Sequence, residues 1–181
     1  MNPCPSISLA GLTLLLSACG GSGSSTCGAG FAGATVSSSS SACTGCRVDG
    51  VEAAADGNGG TAAELVFNAS GLTPAGGRIS LTGSGREFGG GSTVGAYMQF
   101  PYLASGGYTN IAVSFTTYRG GVQQEVIEGS STAVGNIDGA GETRFYGGRS
   151  SLPFDSVEAL TSLSGGGQPT TVQLFELCGN R

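Results

Sequence analysis

From Val48 onward, apolar and polar residues alternate with a period of two, and the alternation halts repeatedly at clusters of Gly, Asn, Asp and Pro. An extended chain points successive side chains to opposite faces, so each such run can bury one face and leave the other wet. Glu64–Ala69 puts Leu65, Phe67 and Ala69 on one face, and Arg78–Thr82 does the same with Ile79 and Leu81. Thr93–Phe100 aligns Val94, Ala96, Met98 and Phe100, and Asn110–Thr117 aligns Ile111, Val113 and Phe115. In TTYRGGVQQEVIE, Gly120-Gly121 joins two alternating runs, a strong hairpin signal. Glu142–Tyr146, Ser156–Thr161 and Thr170–Cys178 complete the pattern, although Val157–Leu163 is also apolar enough for a short helix.

About eight short strands are predicted in residues 43–181, and 35 glycines against only 10% charged residues supply the turns between them. The expected fold is all-β: a two-sheet antiparallel, jelly-roll-like sandwich. One compact domain with appendages suits 181 residues.

The charge balance narrows the partners. Seven arginines, no lysine, no histidine and twelve acids give a net charge of −5, which repels nucleic acid and gives no attraction to an anionic membrane surface. Without His, a serine triad has no base and imidazole metal sites are excluded. Without Lys, the Ser-Lys variant is excluded too. The Asp and Glu residues occur singly along the sequence, without the paired motif that glycoside hydrolysis asks for. No enzyme is expected.

Residues 7–18, ISLAGLTLLLSA, are too short an apolar run to span a bilayer and match the hydrophobic region of a secretory signal. The following Leu16-Ser17-Ala18-Cys19 resembles the lipobox of bacterial lipoproteins, although residues 1–6 carry no basic residue. That resemblance implies cleavage before Cys19, acylation of Cys19, and export to the cell envelope; Gly20 after the Cys looks like the outer-membrane sorting choice. Several acyl chains at about 0.8 kcal/mol per buried methylene make a durable anchor. Residues 1–18 are then the signal, and 19–42, nearly all Gly, Ser, Ala and Thr, a disordered tether.

Four cysteines remain after Cys19 and Cys4, an even set that in an exported chain predicts two disulfides. Three pairings are open. Tying the first strand to the last favours Cys46 with Cys178, leaving Cys27 with Cys43. A redox or zinc role for Cys43-Thr44-Gly45-Cys46 lacks a second CxxC, a histidine and a helical setting.

The run Ala54-Ala55-Asp56-Gly57-Asn58 with Thr61 resembles the A-x-D-G-N-x-x-T signature of discoidin-like and related galactose-binding-like carbohydrate-binding modules, which are jelly-roll sandwiches. The ending Leu174-Phe175-Glu176-Leu177-Cys178-Gly179 is similar to their last strand, with an acidic residue before a Gly. The family's aromatic after the Thr is replaced by Ala62-Ala63, and the chain has no Trp. The resemblance implies a structural calcium ion held by Asp56, Asn58, Thr61 and Glu176, with no other cofactor. Such oxygen donors on a tight turn suit calcium.

Two functions follow. One is a surface-anchored, non-catalytic module that recognises carbohydrate or another cell-surface polymer through loops, using an aromatic platform with nearby polar groups. Tyr102, Tyr108, Tyr118, Arg119 and Tyr146, near predicted strand ends, are its candidate contacts. The other is a structural or adhesive envelope lipoprotein that acts through protein–protein contacts.

Overall fold

Buried residues recur at every second position along several strands, as the alternation requires. The computed structural model describes residues 27, 30–68, 77–102, 108–132, 140–165 and 169–180. They form ten strands: β1 (Thr35–Ser41), β2 (Arg47–Asp49), β3 (Ala63–Phe67), β4 (Gly77–Phe88), β5 (Thr93–Gln99), β6 (Tyr108–Arg119), β7 (Val122–Thr132), β8 (Thr143–Arg149), β9 (Phe154–Gly165) and β10 (Thr170–Asn180). A single 3-10 turn covers Val51–Ala55.

The strands make two five-stranded sheets with all pairings antiparallel. Sheet I runs β1-β4-β9-β6-β7 and sheet II runs β2-β3-β10-β5-β8. Most successive strands switch sheet, as a jelly-roll-like sandwich requires. Between the sheets lie Leu65 and Phe67 of β3, Val94, Ala96 and Met98 of β5, Ile111, Val113 and Phe115 of β6, and Val172 and Leu174 of β10, all at or below 1% exposure. The segment open to a helical reading, Val157–Leu163, is strand: Val157, Ala159 and Leu163 are buried while Glu158, Leu160 and Ser162 face outward. The side chains of Ile79 and Tyr108 and the whole of Ala69 lie outside what is described, as do Cys4 and Cys19.

Two expectations are corrected. The tether was expected to reach residue 42, yet Thr35–Ser41 is an edge strand paired with β4 over seven residues. Its serines have no apolar period. Backbone pairing and the contact of Ser39 Oγ with Ser80 Oγ at 2.9 Å place it in the sheet.

The disulfides are Cys27–Cys178 and Cys43–Cys46, with Cα atoms 4.9 and 5.5 Å apart, in place of Cys46–Cys178 and Cys27–Cys43. The register explains why. Cys46 enters β2 at the end where β10 begins, since Arg47 pairs with Val66 and Val66 with Thr171. Cys178 lies seven residues beyond Thr171 along the same strand, roughly 23 Å away at the rise of an extended chain. Cys46 cannot span that distance. Cys27 instead lies beside the far end of β10, where its N–H donates to Glu176 Oε2 at 3.1 Å.

The inner end of the sandwich near Cys27 is filled by aromatics. Phe31 lies against Phe88 with centroids 5.0 Å apart, and Phe88 stacks on Phe154 at 4.9 Å. Phe31 N–H donates to the Leu177 carbonyl, so the N-terminal strap is bound to β10 at two points. Among the described residues, no helix is long and apolar enough to cross a membrane.

Among the described residues, one buried hydroxyl has no partner: Thr161 Oγ1, on β9 between Ile79 of β4 and Val113 of β6. An orphaned buried hydroxyl costs about 1–3 kcal/mol. Thr161→Val, nearly equal in shape, is therefore expected to stabilise the domain by about 1 kcal/mol, raising Tm by roughly 2–4 °C in a calorimetric scan; an unchanged or lower Tm would mean that the hydroxyl is satisfied.

Candidate functional site

Two of the five candidate contacts, Tyr118 and Arg119, lie at the β6–β7 hairpin. Arg119 pairs with Val122 across a two-residue turn in which Gly120 and Gly121 have φ of 56° and 78°. Both positive values belong to the type I′ turn that matches strand twist, and Gly adopts them without steric cost. The turn is also held from outside, because Gly120 N–H donates to Asp155 Oδ2 of β9 at 2.8 Å.

Tyr118, the residue before Arg119, lies on the outer face of sheet I. Thr117 and Phe115 point inward, so the parity of β6 turns Tyr118 outward, half-buried, next to Ser156 of β9. Its hydroxyl donates to Glu158 Oε2 at 2.8 Å. That hydrogen bond, then burial and the Glu158 charge, raise the phenol above its ordinary value of 10.0, so it stays a proton donor at all physiological pH. Around it lies a depression of about 400 Å³ lined by Thr82, Ser84, Tyr118, Gly121, Asp155, Ser156 and Glu158. It offers one aromatic ring, two carboxylates and three small hydroxyls.

Arg119 faces a second recess, a cleft of about 530 Å³ at the end of the sandwich. Its lining comes from Glu87 and Phe88 at the end of β4, the Gly89–Ser92 turn, Arg119, and Pro153 and Phe154. Buried Phe88 and Phe154 form the floor. The two loops that wall it are fastened together: Gly91 N–H donates to the Ser150 carbonyl and Ser150 N–H to the Ser92 carbonyl. Gly90 is required by this close approach, since a Cβ there would sit 2.5 Å from the Ser151 carbonyl oxygen.

Glu125 of β7 fixes the same loop. Its carboxylate accepts Ser150 Oγ–H at 2.9 Å, Ser151 N–H at 2.8 Å and Ser151 Oγ–H at 3.1 Å. The Ser150 hydroxyl and then the Ser151 N–H lower its pKa, keeping it ionised and able to accept all three.

The other candidate aromatics are elsewhere. Tyr102 is 73% exposed and packs over Gly141 at the opposite end of the sandwich. Tyr108 opens β6 at that opposite end, paired with Gly165. Tyr146 was expected to contact ligand, but it is 5% exposed and meets Phe100 edge-on at 5.2 Å, which makes it part of the core. Tyr118 and Arg119 are adjacent on the hairpin, and each lines its own recess. Sequence reasoning missed Asp155, Glu158 and Glu125. Their parity was visible, but the pairing of β6 with β9 that brings Glu158 to Tyr118 spans 40 residues and has no local signal.

The Asp-Gly-Asn turn is bonded within itself. Asp56 accepts Asn58 N–H through Oδ1 and Thr61 Oγ1–H through Oδ2, and Asn58 Oδ1 accepts Gly60 N–H. Glu176, on β10 and 2% exposed, has its carboxyl pKa raised, first by burial and further by the charge of Asp56, with the Cys27 N–H opposing. The turn and Glu176 are thus electrostatic neighbours. Among the described residues, no group of three or more Cys, Asp or Glu is placed to hold a metal ion.

No protein-family model matches the chain, and no curated protein is significantly similar to it. Solved structures with a similar arrangement include a carbohydrate-binding module of the β-sandwich superfamily, at 10% identity and a TM-score of 0.46. The match covers 89% of this chain and 63% of that one, so the chain spans less than two thirds of its length. The family 32 carbohydrate-binding module of NanJ from C. perfringens, in complex with galactose, is similar at 15% identity and a TM-score of 0.42, over 77% of this chain and 92% of that one. Chitosan-binding module 2 of a Paenibacillus sp. IK-5 chitosanase/glucanase, in complex with chitotriose, is similar at 13% identity and a TM-score of 0.43, over 83% of this chain and 98% of that one.

Proposed function

We propose that this chain is a non-catalytic carbohydrate-binding module, displayed from a bacterial cell envelope by a lipid on Cys19, most simply at the outer membrane. The observation that carries the binding reading is the Tyr118 depression. A sugar ring offers an apolar face for an aromatic side chain and hydroxyls for carboxylate and hydroxyl partners. Tyr118 supplies the first, and Asp155, Glu158, Ser84, Ser156 and Thr82 supply the second. Both carboxylates already accept hydrogen bonds, from Gly120 N–H and from Tyr118, which sets them before a ligand arrives. Those bonds suit holding a ligand more than proton transfer.

Binding to immobilised polysaccharides should fall at least tenfold with Tyr118→Ala and stay within twofold of wild type with Tyr102→Ala, and no reducing ends should be released from the bound polymer. Equal binding by Tyr118→Ala, or no binding to any glycan, would contradict the reading.

A structural calcium ion at Asp56, Asn58, Thr61 and Glu176 belongs to the same proposal, supported by the hard oxygen donors and by the burial of Glu176, whose carboxyl pKa the charge of Asp56 raises. The folded pKa of Glu176 is raised. The stability this group gives is therefore full below the unfolded value near 4.5 and is lost as pH rises through the folded value. Ionising this buried carboxyl is thus a cost that a cation would relieve. In chelator at pH 7, Glu176→Gln should melt no lower than wild type. Excess calcium should raise the wild-type Tm, by about 2.7 kcal/mol of stability at a hundredfold excess over Kd, and leave Glu176→Gln unchanged. No wild-type shift would remove calcium from the account.

A further inference from the structure

We infer that the cleft holding Arg119 is an acid-recognising subsite, so that the preferred ligand is a glycan unit bearing a single carboxylate, such as a uronic acid at the end of a chain. This rests on the carbohydrate reading of the neighbouring Tyr118 depression. The first observation is the state of Arg119. It is exposed, it lines the cleft, and among the described residues it forms no ion pair. Arg47 and Arg144, by contrast, are each committed to an acid two positions away, at 2.9 Å to Asp49 and 2.7 Å to Glu142. A guanidinium is a planar fork that takes a carboxylate through two parallel N–H···O bonds, and an uncommitted one can make that contact without first giving up a partner.

The second observation is preorganisation. The Arg119 backbone is set by the Gly120-Gly121 turn and by the Asp155 bond to Gly120 N–H, and the opposite wall is fastened by Glu125 through Ser150 and Ser151. Neither wall has to be ordered by the ligand, and that saving goes directly into affinity. The floor of Phe88 and Phe154 and the Pro153 wall offer an apolar surface on which a sugar ring can rest beside Arg119.

Third, the two recesses flank one hairpin. Adjacent residues, Tyr118 and Arg119, face different recesses, so a sugar on Tyr118 would bring its neighbour in the chain to Arg119. The net charge of −5 then disfavours a ligand that carries many acids. A polyanion would meet repulsion from the whole molecule, and Glu87 within the cleft opposes a second negative group. One carboxylate on one arginine is the arrangement these charges allow.

The probe is an aldobiouronate, a disaccharide of one glucuronate and one neutral sugar, compared with its methyl ester by calorimetric titration of the full chain. Wild type should bind the acid at least tenfold more tightly than the ester. Arg119→Gln should bring the acid down to the level of the ester and leave the ester unchanged, Arg119→Lys should retain only part of the preference, and Glu87→Gln should tighten the acid. Arg119 is exposed, so the melting temperature of its variants should match wild type and show that they fold. Equal affinity for acid and ester, or a preference that survives Arg119→Gln, would overturn the subsite and leave the carbohydrate reading in place. Binding of neither probe, together with no binding to any polysaccharide, would overturn both.

Discussion

The bridge between Cys27 and Cys178 is the constraint on which the rest of the fold depends. β10 is the central strand of sheet II, and the bridge fastens to its far end a strap that continues through Phe31 into β1, the edge of sheet I. One covalent bond therefore joins the middle of one sheet to the border of the other. In the chain-entropy description, closing a loop with a sequence separation of 151 restricts the unfolded chain by about 5 kcal/mol, against about 2 kcal/mol for the three-residue separation of Cys43–Cys46. The long bridge also seats Phe31 against Phe88, which stacks on Phe154, the aromatic row that closes the sandwich under the Arg119 cleft.

The loops above that closed end are held largely by hydrogen bonds, with Ser92 and Ser150 themselves buried. Gly89–Ser92, Gly120-Gly121 and Ser150–Pro153 are each pinned by a bond to a neighbour: Gly91 to Ser150, Gly120 to Asp155, and Ser150 and Ser151 to Glu125. Polar side chains on β7 and β9 thus do for these loops what packing does for the strands. The two recesses beside the hairpin inherit this order, and their polar groups point outward from a fixed frame.

How much of this was legible in the sequence differs by residue. The inward faces of β3, β5 and β6 followed from period two alone, and the Gly120-Gly121 turn from its dipeptide, because both signals are local. β1 was not legible: five consecutive serines have no apolar face, and they join sheet I only through pairing with β4. The disulfide partners were hidden for the same reason, since they depend on where the strap runs. The five candidate contacts divide on parity and pairing. Tyr118 faces outward because Phe115 and Thr117 face inward, which the sequence shows, whereas Tyr146 is drawn into the core opposite Ala96 and against Phe100. Glu158 and Asp155 could not be joined to Tyr118 without knowing that β9 lies beside β6. Asp56 and Glu176 were matched by resemblance alone, and the charge of Asp56 is one of the causes that raise the Glu176 carboxyl pKa.

The central claim is that ligand binds at the hairpin end that the Cys27–Cys178 bridge closes, and amide chemical-shift mapping on the full chain tests it most directly. With an aldobiouronate, the account predicts saturable shifts confined to Gly89–Ser92, Tyr118–Val122 and Asp155–Glu158. Shifts confined to the opposite end, around Pro101, Tyr102, Ala140 and Gly141, with the hairpin silent, would contradict it.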